Sequence, residues 1–269
     1  MTDVLKKGAY LFFVASASLI SASYQDIEKP TGIIQKTIDN IDTIVTIYFK
    51  QDMVRTNPGD AEDTIYRYRE MYMKRLIQDS VVGVKGHWYM YVDDNINTIY
   101  EDIYDGEKLI RKNNRDSTIR IFDLVKYPEF KDRPFWGHNT PFSMQYMFRY
   151  ILKNKEYYEI ERLNDTIFQH TDCFQILIRL ENKESMPGYA YKLQDKPGSV
   201  SMIKLFIDKE NYYPLRMLME NYTKNNPEQI YFTDQTYYDL KFNIKLDAFR
   251  EFNTSNEVFG RYKITKVKP

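Results

Sequence analysis

The residues that could do chemistry in this chain are few and badly spaced for it. Adjacent acids occur at Asp93-Asp94 and Glu101-Asp102, and a glycosidase needs two carboxylates facing one another across a sugar. Neighbours on a strand point to opposite faces, so these pairs do not make that geometry by themselves. Asp93-Asp94-Asn95 reads as a turn, because the glycine and terminal glutamate of a calcium loop are missing. The three histidines, His87, His138 and His170, are too far apart in sequence to aim two imidazoles at one metal by local spacing. Neither a phosphate-cradling glycine motif nor a Gly-x-Ser-x-Gly elbow occurs. The single cysteine, Cys173, opens a run of apolar residues and reads as inert packing. No enzyme and no cofactor or metal is therefore expected, with a hydrolase on envelope glycans as the remaining catalytic alternative.

Methionine and tyrosine are the more suggestive supply. Met71, Met73, Met90, Met144, Met147, Met202, Met217 and Met219 fall on expected strands or on a helix, and methionine adapts to irregular apolar shapes. Each alone reads as core. Together they become cavity candidates if several face one concave surface, as Tyr213, Leu215, Met217 and Met219 do on a regular strand. The candidate ligand-binding residues are thus Met71, Met73, Met90, Met144, Met147, Tyr213, Leu215, Met217 and Met219. The 24 tyrosines fit core or cavity alike.

The elements that would position them are mostly strands. Runs at 43–55, 64–76, 81–92, 97–104, 107–112 and 117–124 follow one another with short links, which predicts an antiparallel meander. Asp105-Gly106 marks a tight hairpin between two of them. Isoleucines 33, 34, 38 and 41 predict an amphipathic helix over 25–41, and Met144, Met147, Phe148 and Ile151 a second over 143–152. Before that helix, residues 126–142 form a loop rich in proline and aromatics, including Phe135, Trp136 and His138. Strands resume at 157–163, 167–170 and 173–181, and a polar link over 182–198 precedes three more between 199 and 251. Pro214 is tolerated only at an edge or at a strand's first residue. In the last run Thr236, Tyr238, Leu240, Phe242, Ile244 and Leu246 alternate with Tyr237, Asp239, Lys241, Asn243 and Lys245, which predicts one oily side.

Residues 1–23 carry Lys6 and Lys7, an apolar block and a small-residue exit, the pattern of a secretory signal peptide. The apolar block falls short of the roughly 20 residues that span a bilayer. The expected mature chain, 24–269, is a single exported, periplasmic domain. With 38 basic and 38 acidic residues the chain has no cationic excess with which to hold nucleic acid.

The order helix, meander, helix, closing strands resembles the periplasmic lipoprotein-carrier family, the LolA-like fold of Gram-negative envelopes. The closest echo is the strand Ile203-Lys204-Leu205-Phe206-Ile207, the Asp208 turn and the return Pro214-Leu215-Arg216. Further echoes are Tyr231-Phe232-Thr233-Asp234, the strand reaching Ile244, Phe249 or Phe252 near the close, and the opening helix leading into Ile44-Val45-Thr46. The resemblance implies a mainly β (α+β) fold: a strongly curved antiparallel sheet, an unclosed half-barrel, with helices on its concave side. It implies an apolar cavity for acyl chains, lipid or lipoprotein, and neither cofactor nor catalysis. An envelope sensor of the same fold, meeting a protein partner through the 126–142 loop, is the alternative.

Overall fold

A computed structural model describes residues 28–56, 64–76, 83–92, 100–127, 140–186, 192–245 and 262–267. Residues 1–23, expected to be a signal peptide, Asp93 and Asp94, and Phe135, Trp136 and His138 of the expected loop lie outside the described residues, as do Leu246, Phe249 and Phe252.

Helix α1 (Pro30–Asp42) opens the described chain. Its buried residues are Ile33, Ile34, Thr37, Ile38 and Ile41, one stripe at helical spacing. Six strands follow: β1 (Thr46–Thr56), β2 (Thr64–Arg75), β3 (Val84–Val92), β4 (Tyr100–Tyr104), β5 (Lys108–Asn113) and β6 (Thr118–Asp123). Each pairs antiparallel with the next, the meander that the spacing predicts. At the β4–β5 hairpin Gly106 takes φ 106°, and Asp105 Oδ1 accepts from the N–H groups of Glu107 and Lys108 at 2.9 and 2.8 Å.

Helix α2 (Pro141–Lys153) is capped by Thr140 and Ser143, each side chain accepting from the other's backbone N–H. Phe142, placed by sequence at the end of the loop, is buried in its first turn. A short 3₁₀ turn leads to β7 (Tyr158–Arg162), β8 (Thr166–Phe168), β9 (Thr171–Met186), β10 (Lys192–Asp208), β11 (Pro214–Thr223) and β12 (Asn226–Phe242). Pro214 is the first residue of its strand, the place its missing N–H allows.

All described strands, of which β13 (Lys263–Lys266) is the last, join one sheet in the order β13-β6-β5-β4-β3-β2-β1-β12-β11-β10-β9-β7, with β8 on β9. Pairing of β1 with β12 joins the meander to the C-terminal strands. The two ends of the order do not meet, so the sheet is curved and unclosed. The curvature follows from one comparison. Arg120 of β6 and Glu184 of β9 line the same hollow, although nine strand-to-strand steps separate them. At about 4.8 Å per step a flat sheet would hold them roughly 43 Å apart. The sheet wraps, and both helices lie in its concave side. Ile33, Ile34 and Ile38 of α1 and Phe148 and Ile151 of α2 share one buried cluster with Phe49, Met71, Tyr104, Ile176, Leu205 and Tyr237 of the strands.

Three sequence expectations are corrected. The polar stretch 182–198 is not a link: β9 runs to Met186 and β10 starts at Lys192, and their ladder continues through Lys183↔Asp195. Salt bridges Lys183–Asp195 at 2.6 Å and Lys196–Glu184 at 3.0 Å support it. Polar cross-strand pairs hold a hairpin without any hydrophobic alternation. Second, the last long strand does not keep one oily side. Tyr237 and Gln235 are fully buried, whereas Thr236 pairs with Arg216 on the opposite face. The register against β1 shifts between Tyr48 and Lys50, and Asp239 sits at φ 52°. That bulge changes the parity, so Phe242, paired with Ile47, returns to the covered face. Third, β13 (Lys263–Lys266) pairs parallel with β6 at the sheet edge. All four of its residues are exposed, so it carries no hydrophobic period that sequence reading could detect.

Candidate functional site: a hollow beneath the second helix

Cross-strand partners share a face, so the register of the meander gives its concave surface row by row. Nearest the helices, Ile47, Met73, Gly86, Tyr104, Leu109 and Phe122 are paired in sequence across β1 to β6. The next row is Phe49, Met71, Trp88, Asp102, Arg111 and Arg120, and the one beyond is Gln51, Arg69, Met90, Tyr100, Asn113 and Thr118. Hydrophobicity falls with distance from the helices. The first row is apolar and sealed. The second and third open on a cavity of about 1050 Å³.

Two walls of unlike chemistry enclose it. One is formed by α2 and the C-terminal strands, with Met147 and Ile151 from the helix and Ile178, Leu180, Ile203 and Met219 from the sheet. The other belongs to the meander. It mixes Met53, Met71, Trp88 and Met90 with Arg55, Arg67, Arg69, Arg111 and Arg120.

A polar belt divides the sealed core from the hollow. Arg69 Nη1 donates to Gln51 Oε1 at 3.4 Å, Gln51 Nε2 donates to Gln235 Oε1 at 3.2 Å, and the Tyr237 hydroxyl donates to the same oxygen at 2.9 Å. Beside it, Asp102 accepts from Trp88 Nε1 at 3.2 Å and from Arg111 Nε and Nη2 at 2.9 and 2.6 Å. Trp88 lies flat over Gly86, where an added Cβ would stand 2.6 Å from the ring. Burial pushes the Arg69 guanidinium down to about 10, and the neighbouring cation Arg67 adds to the fall.

Adjacent acids separate as strand geometry requires. Asp102 faces the hollow, whereas Glu101 meets His87 Nε2 at 2.9 Å and Lys112 Nζ at 2.8 Å on the other face. Burial acts to raise the Glu101 carboxyl, but the hydrogen bonds from His87 and Lys112 outweigh it and hold the group down at about 2. Cys173 is buried on that outer side with Phe206, and burial pushes its thiol up to about 11. Among the described residues no group of three or more His, Cys, Asp or Glu could hold a metal ion, and no helix is long and apolar enough to cross a membrane.

Of the residues that sequence singles out, Met71, Met90, Met147 and Met219 line the hollow. Met73, Met144 and Met217 are buried in the core above it. Tyr213 stacks on Phe242 with ring centroids 4.0 Å apart. Leu215 departs from the face expected for it: a register shift between Phe206 and Ile207 sets it with Cys173 and Phe206 in a separate cluster. The lining is also less apolar than expected, because Arg55, Arg67, Arg69, Arg111 and Arg120 share it with the methionines. The arginines' signal was present, since Arg67 and Arg69 stand at period two with Met71 and Met73.

No protein-family model and no curated protein matches the chain. Among solved structures, the chain is similar to the lipoprotein LppX of Mycobacterium tuberculosis, at 9% identity over 81% of this chain and 98% of that one, with TM-score 0.46. A putative outer membrane lipoprotein-sorting protein domain from Vibrio parahaemolyticus matches at 13% identity over 85% and 97%, TM-score 0.36. The Pseudomonas aeruginosa MucA/MucB complex matches at 7% identity over 86% of this chain and 60% of that one, TM-score 0.40.

Proposed function

We propose that this is an exported, non-catalytic carrier that holds an acyl chain, of a lipid or of an acylated protein, in the hollow between sheet and helix. The observation that carries the reading is the hollow itself. At about 1050 Å³ it stands at the upper end of the roughly 300–1,000 Å³ of small-molecule sites. Met71, Met90, Met147 and Met219 on its walls are the side chains that would mould to a flexible chain. Each CH₂ moved there from water contributes about 0.8 kcal/mol, so a long chain binds without a charged contact to its tail. Residues 1–23 would direct export, and 24–269 would act as one unit.

The test is mass spectrometry of lipid extracted from protein isolated from the periplasm of an expressing cell. Co-purifying acyl lipid at near one equivalent is expected. Ile203→Trp and Met219→Trp, which fill the hollow from the C-terminal wall, should abolish it while leaving the thermal transition in place. A lipid-free wild-type protein, or lipid retained by both filled variants, overturns the reading.

A further inference from the structure

The lining of the hollow is electrically lopsided. Six cations, Arg55, Arg67, Arg69, Arg111, Arg120 and Lys196, stand against two carboxylates, Asp102 and Glu184. Both carboxylates are engaged, Asp102 by Arg111 at 2.6 Å and Glu184 by Lys196 at 3.0 Å. The chain as a whole is balanced, at 38 basic and 38 acidic residues, so an excess of cations in one concavity is a local feature rather than a property of the whole surface. It is also confined to one wall, since every arginine of the lining comes from β1, β2, β5 or β6. The facing wall offers Met147, Ile151, Ile178, Ile203 and Met219.

Like charges crowd there at a cost. Arg67 and Arg69 stand two residues apart on one strand face, roughly 7 Å along the strand. Burial is the main cause that lowers both guanidinium groups, and the neighbouring cations add to it, Arg55 and Arg111 at Arg67 and Arg67 and Arg111 at Arg69. An anion seated among them would remove that repulsion. Guanidinium groups bind phosphate and carboxylate oxygens in a paired, planar geometry.

Resting on the carrier reading above, we propose that the ligand is an anionic lipid: its acyl chain runs along Met147, Ile151, Ile203 and Met219, and its phosphate or carboxylate head is held by Arg67, Arg69 and Arg120. A neutral lipid would satisfy the apolar wall and bring no charge to the arginine wall. Inorganic phosphate would meet the arginines without the tail. An acidic peptide would meet the charge but leave the methionine and isoleucine wall without an apolar partner, so the two-sided lining favours an amphiphile.

The experiment titrates the full chain with oleoyl lysophosphatidic acid, monooleoylglycerol of the same chain length, inorganic phosphate and an acidic peptide, followed by Trp88 fluorescence and calorimetry. Lysophosphatidic acid should bind about tenfold or more tighter than monooleoylglycerol, the gain expected of a charge-assisted hydrogen bond, and its affinity should fall with added salt. Inorganic phosphate and the peptide should not compete with it at equal concentration. Arg67→Gln with Arg120→Gln should erase the preference and keep monooleoylglycerol binding, which also certifies that the variant is folded. Equal affinity for the two lipids overturns the anionic head and leaves the carrier standing. Failure of both lipids to bind overturns the head and the carrier together, and displacement by phosphate or peptide at equal concentration overturns the amphiphile, because the tail would then add nothing.

Discussion

The two halves of the concave surface are built on the same strands and differ only in position along them. On β2 the change takes a few residues: Met73 lies in the buried core, Met71 borders both core and hollow, and Arg69 and Arg67 face the hollow. On β5 and β6 it is abrupt, from Leu109 to Arg111 and from Phe122 to Arg120. The helices decide which half is which. Each is 13 residues long, about 20 Å at 1.5 Å per residue, while β10 and β12 reach 17 residues; α2 roofs the hollow with Met147 and Ile151, and its Tyr150 hydroxyl accepts from the Leu193 N–H of β10 at 3.0 Å. Where the helices press against the sheet the two fill one another's gaps, and beyond that packed end α2 and the sheet enclose a space with a charge of its own.

The contrast can be broken from the covered side first. Phe148 is fully buried between α2 and the sheet, so Phe148→Ala should cost about 3–5 kcal/mol in chemical denaturation, as large-to-small changes do in a close-packed core. The filled variants Ile203→Trp and Met219→Trp on the open side should cost far less, because the space is already there. Equal losses on the two sides would erase the distinction.

A second break concerns β4, which backs the arginine wall. Glu101 is held at about 2 against an ordinary 4.5, a depressed carboxylate whose stabilisation is present above the unfolded value and disappears as pH falls from about 4.5 to about 2. Its full size is on the order of 3 kcal/mol. Glu101→Gln should lose this at pH 7 and flatten the acid limb of the stability profile. An acid limb identical to wild type would remove the pair from the account.

Gly86 sharpens the boundary between the halves. Gly86→Ala puts a Cβ 2.6 Å from the Trp88 ring, so the indole must move toward the hollow, at about 1–3 kcal/mol for overpacking. A changed Trp88 emission with an intact fold is the expected result. The smallest effect has the opposite sign. Arg69→Met removes a cation whose burial is costly at every pH below about 10, and should leave the ligand-free protein unchanged or more stable, by on the order of 1 kcal/mol. A clear loss of stability would mean that its bond to Gln51 outweighs the repulsion.

Much of the architecture was legible in the chain. Isoleucines 33, 34, 38 and 41 fall at helical spacing and form the buried stripe of α1. The six short-linked strands pair in series because links of that length leave no alternative to antiparallel neighbours. Separation of Glu101 from Asp102 followed from period two alone. Of the candidate site residues, Met71, Met90, Met147 and Met219 were placed on the lining, because methionine on a strand or helix face is apolar whichever neighbour it meets.

What sequence by itself determined is therefore local: which segments are strands, which helix faces are oily, and which residues share a face over a few positions. The bulges at Asp239 and Leu215 escaped it, since each inserts one residue for reasons that lie in the partner strand's register. The long polar hairpin of β9 and β10 escaped it too, its charged pairs being favourable only once the strands are side by side. Tertiary structure alone decided that the sheet bends until β6 and β9 border one space, and that α2 and the arginines face one another across it. The reason is physical: alternation sets the side on which a residue lies, while curvature and coverage depend on contacts between segments far apart in the chain.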